Sequence, residues 1–107
     1  MSFETFSAND PSQVVLGLFD GESLCAVYFF AEESPNVFNA HFTSKRGVPV
    51  QTVFAGAKTS LDWFLDHNAT VIARILDRNR AIKDFIEALG FQPVSKCPWT
   101  YTLSWTS

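Results

Sequence analysis

The segment that decides the fold is residues 70–91, whose sequence is TVIARILDRNRAIKDFIEALGF. It begins with a short apolar run in which β-branched residues dominate, a composition typical of a largely buried strand. Residues 80–89 then place apolar side chains at three- and four-residue spacing, which predicts a helix, and Gly90 is the residue type that commonly ends one. The segment therefore predicts a strand followed by a helix.

A strand and a helix are also predicted directly before this segment. Residues 50–66 carry apolar side chains at helical spacing, and Pro49 suits the start of a helix because its missing N–H leaves no bond unmade there. Residues 37–43 alternate as a strand does, with Phe38, Ala40 and Phe42 on one face and Asn39, His41 and Thr43 on the other. Strand, helix and strand in this order predict a parallel crossover.

The remaining segments predict antiparallel strands at both ends of the chain. Residues 14–31 form two β-rich runs around Asp20-Gly21-Glu22, which is a strong hairpin signal, and residues 1–13 predict an arm or a short first strand. Residues 100–105 alternate polar and apolar side chains, as a final antiparallel strand would. We therefore predict one mixed α/β domain over residues 1–107, with a helix in each of two crossovers covering the faces of the sheet.

Composition excludes several classes of function. The 107 residues are 47% hydrophobic and carry a net charge of −3, so a domain that neutralises nucleic-acid phosphates is not expected. No apolar run is long enough to span a membrane, and no signal peptide is recognised, which predicts a cytoplasmic protein. Cys25 and Cys97 lack metal-ligand spacing and are expected to be free thiols, with no metal site. The domain should fold alone or as a small oligomer such as a homodimer.

Residues 79–91 resemble the signature of the GNAT acyltransferase superfamily, N-x-x-A-x-x-L-Y-E-K-L-G-F. The matching residues are Asn79, Glu87, Leu89, Gly90 and Phe91. The predicted order of elements also agrees with that of the superfamily over most of the chain. Small, truncated GNAT-like proteins are common in tailed-phage genomes, and this sequence is similar to them in style, so a phage-encoded protein acting in host cytoplasm is one expectation.

The resemblance implies a site for acetyl-CoA and a reaction. In GNAT proteins the pantetheine arm lies between two splayed parallel strands, which here would be residues 37–43 and 70–76. Arg46-Gly47 precedes an apolar helix and resembles the pyrophosphate loop of the family, Q/R-x-x-G-x-G/A, where a helix N-terminus and its N–H groups attract phosphate. The residues implied in coenzyme binding are Thr43, Ser44, Lys45, Arg46, Gly47, Val48 and Asn79. Asn79 is also the predicted N-cap of the second helix.

Catalytic groups are less well defined. His41 is a candidate general base because its strand face would point toward the cleft and imidazole titrates near neutral pH, although a surface histidine is the alternative. Ile86 stands where the family commonly has the tyrosine that protonates the leaving thiolate, and Tyr101 is a candidate replacement. Arg74 interrupts an apolar strand and is expected to face an edge or to pair with Asp62 or Asp66.

Three functional alternatives follow. The first is an acyl-CoA-dependent N-acyltransferase in which a primary amine attacks the thioester directly, a reaction that depends mostly on positioning. The second is an inactive GNAT-fold binding or structural protein that acts on a host or virion protein, a reading favoured by Pro49 and Gln51 in the loop and by Ile86. The third is an unrelated α/β domain, which the absence of splayed central strands would indicate.

Overall fold

The structure is a computed structural model that describes residues 2–6, 13–62, 64, 68–97 and 99–106. In chain order, its strands and helices are β1 (Ser2–Phe6), β2 (Gln13–Asp20), β3 (Ser23–Ser34), β4 (Val37–Ser44), α1 (Val50–Asp62), β5 (Thr70–Leu76), α2 (Arg80–Ala88), β6 (Gln92–Cys97) and β7 (Thr100–Thr106).

The described strands form one mixed sheet in the order β1-β2-β3-β4-β5-β7-β6. β1 to β4 are an antiparallel meander, β4 and β5 are parallel, and β7 pairs antiparallel with both β5 and β6. The predicted hairpin, central parallel pair and final antiparallel strand are confirmed, and the N-terminal segment includes a strand rather than only an arm. The turn between β2 and β3 places Gly21 at φ 61°, a conformation that glycine adopts without cost.

β6 was not predicted, because Pro93 lies in it and Pro98 follows it. Proline cannot donate to a sheet ladder and is therefore confined to edge strands or bulges. Both conditions hold here: β6 is at the edge of the sheet, and its pairing with β7 is interrupted between Pro93 and Ser95.

Both helices lie on the same face of the sheet, and the prediction that the crossovers cover both faces was wrong in this respect. The Tyr28 hydroxyl of β3 donates to the Val53 carbonyl oxygen of α1 at 2.8 Å, which fixes α1 over the meander. α1 and α2 then touch each other, since the rings of Phe54 and Phe85 are 5.4 Å apart at their centroids. The reason is topological: β4 to β5 and β5 to β6 both cross in the same direction, and right-handed crossovers then place both helices on one side.

The core lies between this face and the two helices. Its largest fully buried side chains are Tyr28, Phe30, Phe64, Leu103 and Val71. Phe38, Ala40 and Phe42 of β4 are partly buried and pack against the core, which confirms the predicted inner face of that strand. The opposite face of the sheet carries no described helix.

Both helices begin where the sequence predicts and α2 ends as predicted, whereas α1 is shorter than predicted. α1 ends at Asp62, short of the predicted residue 66, and residues 63 and 65–67 lie outside the described residues. Gly90 follows α2 with φ 105°, its N–H donates to the Glu87 oxygen at 2.9 Å, and the Phe91 N–H donates to the Ile86 oxygen at 3.4 Å. This is a Schellman arrangement, and it confirms the predicted stop at Gly90.

Two further expectations concern absences. Among the described residues no helix has the length and apolar character needed to cross a bilayer. The same residues contain no group of three or more His, Cys, Asp or Glu side chains that would hold a metal ion. Cys25 is a buried free thiol, whereas the side chain of Cys97 lies outside the description.

Candidate functional site

The two central strands separate after a short paired region. β4 and β5 pair at Val37 with Thr70, Phe38 with Val71 and Asn39 with Ile72, and the pairing ends there. Both strands nevertheless continue, β4 to residue 44 and β5 to residue 76. A gap therefore opens between their C-terminal halves, in the middle of the sheet.

The hydrogen bonds beside the gap show which main-chain groups face it. The Lys45 N–H, at the end of β4, donates to the Cys25 oxygen at 2.8 Å, so odd-numbered residues of β4 bond toward β3. On the other side, the Thr70 N–H donates to the Asn36 oxygen at 2.8 Å, so even-numbered residues of β4 and β5 bond toward each other. Because main-chain groups alternate along a strand, the described residues that direct main-chain groups into the gap are Ala40, Phe42, Ser44, Arg74 and Leu76, and of these the Leu76 oxygen already accepts from the Asn79 N–H at 2.9 Å.

The gap is the floor of a cleft of about 470 Å³. Its walls are the ends of β4 and β5, the first turns of α1 and the first two turns of α2, and most of the lining side chains are apolar. Volume, apolar walls and a few main-chain polar groups are the usual properties of a small-molecule site. An extended ligand lying along the gap would meet unpaired strand edges on both sides.

Four of the predicted site residues line this cleft: His41, Thr43, Ser44 and Asn79. His41 and Thr43 are exposed, although β4 is a central strand, because their side chains point to the face without helices. The structure therefore brings the candidate base and the predicted coenzyme-binding strand end to one place.

The predicted pyrophosphate loop lies at one end of the cleft but not in its walls. Ser44 and Val50, on either side of the loop, line the cleft, whereas Lys45, Arg46, Gly47 and Val48 do not. The Lys45 and Val48 N–H groups are already used, the first by Cys25 and the second by the Lys45 oxygen at 3.3 Å. The N–H groups of Arg46 and Gly47 have no partner among the described residues, and the Arg46 side chain is exposed.

Tyr101 is separated from the other candidates. It packs against the core beside α2 and is not among the residues that line the cleft. Two ammonium groups flank its ring, with Lys83 Nζ 4.8 Å and Lys96 Nζ 5.1 Å from the centroid. Cation–π contacts of this kind hold the ring in place, so the position of Tyr101 is accounted for by packing.

Asn79 occupies the N-cap position of α2 without making the expected side-chain cap. Its carbonyl oxygen accepts from the Lys83 N–H at 3.0 Å, but its side chain makes no capping hydrogen bond. The backbone at Asn79, with φ −92° and ψ 65°, differs from the extended conformation usual for a cap. The amide side chain is exposed at the cleft and is therefore available to a ligand.

Arg74 is exposed and pairs with Glu33 rather than with Asp62, while Asp66, the other predicted partner, lies outside the described residues. Asp62 is on α1, on the helical face, whereas Arg74 projects from the other face, where the end of β3 supplies Glu33. Arg74 Nη2 donates to Glu33 Oε2 at 3.0 Å, and a second bond joins Nη1 to Oε1. The hydrogen bond from Arg74 and its charge hold the pKa of Glu33 below its usual range. The pair joins β3 to β5 across β4, beside the mouth of the cleft. The positive charge of Arg74 and the negative charge of Glu33 neutralise each other there.

The cleft also depends on two alanines that the sequence analysis did not single out. Ala73 of β5 and Ala81 of α2 line it, and their small side chains leave it open. Ile86 lines it as well and is only 4% exposed. Small apolar residues at the end of one parallel strand and in the first turn of the following helix are the signal that would have identified Ala73 and Ala81.

One pH effect follows from the contact that holds α1 over the sheet. Burial, with a smaller contribution from Cys25, raises the pKa of Tyr28 from 10.0 to about 12. Because the folded pKa lies above the unfolded one, stability from the protonated phenol is complete below pH 10 and is lost as the pH rises toward about 12. We expect Tyr28→Phe to flatten this alkaline loss, measured as urea midpoints against pH. An equal alkaline slope in the variant would contradict the assignment.

A parallel pair splayed over an apolar cleft, with the next helix closing it, defines the GNAT acyltransferase fold, and this chain has that fold. The N-acetyltransferase PseH from Campylobacter jejuni, also solved in complex with acetyl coenzyme A, superposes with a TM-score of 0.74 and 14% identity over 92% of this chain and 70% of that chain. A dodecameric spermidine N-acetyltransferase from Vibrio cholerae superposes with a TM-score of 0.78 and 11% identity, over 91% of this chain and 66% of that chain. A domain from Methanocaldococcus jannaschii superposes with a TM-score of 0.75 and 13% identity, over 92% of this chain and 70% of that chain. No family model and no curated protein sequence matches the chain.

Proposed function

We propose that the protein is an acyl-CoA-dependent N-acyltransferase that uses acetyl-CoA. The observation that carries the proposal is the gap between β4 and β5, where main-chain groups of both strands are directed into an apolar cleft of about 470 Å³. A pantetheine arm contains two amides on a flexible apolar chain, so it would bond to these strand edges as an added strand does. The exposed Asn79 amide adds a donor and an acceptor at the cleft.

The pyrophosphate is assigned to the loop after β4. Arg46 and Gly47, which supply two N–H groups and the exposed Arg46 side chain, lie in the chain between two cleft-lining residues, Ser44 and Val50. The start of α1 adds the positive end of its dipole. Charge-assisted bonds from arginine to phosphate are among the stronger polar contacts, which supports this end of the cleft as the one that binds the anionic pyrophosphate.

The chemistry assigned to the site is direct attack. The amine nitrogen forms a bond to the thioester carbonyl carbon, the carbon–sulfur bond breaks, and the amine proton is taken up by His41 or by water. Among the described lining residues, His41 and Arg74 are the ones with ionisable side chains, and Arg74 is engaged by Glu33. No tyrosine stands at Ile86, so the leaving thiolate takes its proton from solvent. Positioning supplies most of the rate in such a reaction.

Calorimetry with CoA and acetyl-CoA tests the binding step, with two matched variants of α2. Ala81 and Ala88 are both exposed, and only Ala81 lines the cleft. We expect Ala81→Trp to fill the cleft and to weaken binding of CoA by at least tenfold, whereas Ala88→Trp, two turns further along the same helix, should leave it within about twofold. Absence of binding by the unmodified protein at millimolar CoA would refute the proposal.

A second candidate function is binding without catalysis. Ile86 supports it, because an isoleucine at 4% exposure lines the cleft where a proton donor is expected in active relatives of this fold. Thiol release from acetyl-CoA, measured with a panel of primary amines, separates the two candidates. Transfer that is reduced in His41→Ala while CoA affinity is unchanged supports catalysis; CoA binding with no transfer to any amine supports a binding protein. A phage origin and a cytoplasmic location stay predictions.

A further inference from the structure

No described helix covers the face of the sheet opposite α1 and α2. β4 and β5 are central strands, yet His41, Thr43 and Arg74 on that face are exposed, and Leu76 is 43% exposed. Central strands of a sheet are normally covered on at least one face and, where parallel, on both. We call this surface the open face.

Among the side chains that the structure describes, few of those on the open face are charged. The described strand residues that project to it include the half-buried apolar side chains Val15, Val27, Phe29 and Ile72. The remainder are mostly threonine, serine, asparagine and glutamine. Its described charged side chains are Glu33 and Arg74, which neutralise each other. A sheet face adapted to water would carry lysine and glutamate, whereas depletion of charge is typical of the centre of a protein interface.

We propose that the open face is the interface of a homodimer, in which two copies of the chain pack sheet against sheet. The charge balance of this face favours a second copy over another partner. A two-fold interface brings a surface against itself, so it must be self-complementary, and a net charge on it would repel its copy. The whole chain carries a charge of −3, yet the charges of the side chains that the structure describes on this face cancel. The open face is therefore suited to pack against the same face of a second copy.

The size of the face is also sufficient. The molecule measures 41 × 31 × 22 Å, and the short dimension corresponds to one sheet and one layer of helices. The two longer dimensions give the open face an outline on the order of 1,000 Å², compared with the ~800 Å² per partner that a stable interface buries.

The dimer has a consequence for the cleft. The gap between β4 and β5 reaches the open face beside His41, where the described residues provide no helix or loop as an outer wall. Small-molecule sites bury most of their ligand. In the dimer the partner's sheet supplies that wall, so a small acceptor would be enclosed between the two copies.

Light scattering after size exclusion tests the inference directly on the unmodified chain. We expect a mass of twice the 12.0 kDa chain at micromolar and higher concentrations. A monomer throughout that range would overturn the proposal and leave the face to a different partner. This measurement needs no ligand, so it is independent of whether the protein binds CoA.

Matched charge variants locate the interface. Phe29→Glu introduces a carboxylate on the open face, on the strand next to β4. Ala55→Glu introduces the same charge at an exposed position of α1, on the helical side of the sheet. We expect the first to yield monomers and the second to remain dimeric, with folding checked by circular dichroism. A dimer unaffected by Phe29→Glu would place the interface elsewhere and refute the proposal.

Discussion

Replacing Phe30 with alanine is expected to lower the free energy of unfolding by about 3–5 kcal/mol, a large part of the roughly 5–15 kcal/mol that stabilises a domain of this size. Phe30 has no exposed surface. Its ring lies 4.7 Å from that of Phe64 and 5.7 Å from that of Phe42, centroid to centroid. Removing it leaves a cavity between the meander and α1 that neighbouring rings cannot fill without losing their own contacts.

Phe29 is the matched control, because it is the same residue type one position earlier on the same strand. It projects to the open face and is half-buried. We expect Phe29→Ala to lower the free energy of unfolding by less than half as much as Phe30→Ala, measured below the concentration at which any dimer forms. Equal losses in urea denaturation would contradict the assignment of the two residues to opposite faces.

The second large effect is expected at Gly56, inside α1. A Cβ at this position would lie 2.1 Å from Tyr28 Oη and 2.8 Å from Tyr28 Cζ, far inside normal contact. Tyr28 cannot retreat easily, because it has no exposed surface and its ring meets Phe42 edge to face at 5.3 Å. Gly56→Ala should therefore lower the free energy of unfolding by about 2 kcal/mol, despite the roughly 1 kcal/mol that alanine contributes to helix propensity.

The control for Gly56→Ala is Thr59→Ala, on the exposed side of the same helix, which we expect to be neutral or slightly stabilising. A double-mutant cycle with Tyr28→Phe tests the cause. Removing the hydroxyl relieves the shortest contact, so Gly56→Ala should cost measurably less in that background, by about 0.5 kcal/mol or more. Additive free energies in urea denaturation would show that the loss at Gly56 has another origin.

Local sequence signals predicted the strands and helices well, but they did not predict which face of the sheet the helices cover. The turn at Gly21 and the stop at Gly90 were identified because glycine has a conformational role that neighbours cannot supply. The placement of both helices on one face depends on the direction of two crossovers across the sheet, and therefore on strand order. No single segment carries that information, which is why the open face was not predicted.

The candidate site shows the same division. His41 and Thr43 were found because alternation along β4 specifies which side chains share a face. Glu33 was missed as the partner of Arg74, because the two residues are 41 positions apart in the chain and come together only when the sheet has formed. Tyr101 was chosen for its chemistry alone, and the structure places it beside Lys83 and Lys96, outside the lining of the cleft.

The short ladder between β4 and β5 has a mechanical consequence. Among the described strands, three residue pairs join the β1–β4 meander to the β5–β7 part of the sheet. The seam between these two halves is thus the weakest line across the sheet, and local opening should begin there. A molecule bound along the seam would bridge the halves as a missing strand, so we expect ligand to slow hydrogen exchange most at the ends of β4 and β5. Substrate binding would in this way complete the mechanical continuity of the sheet.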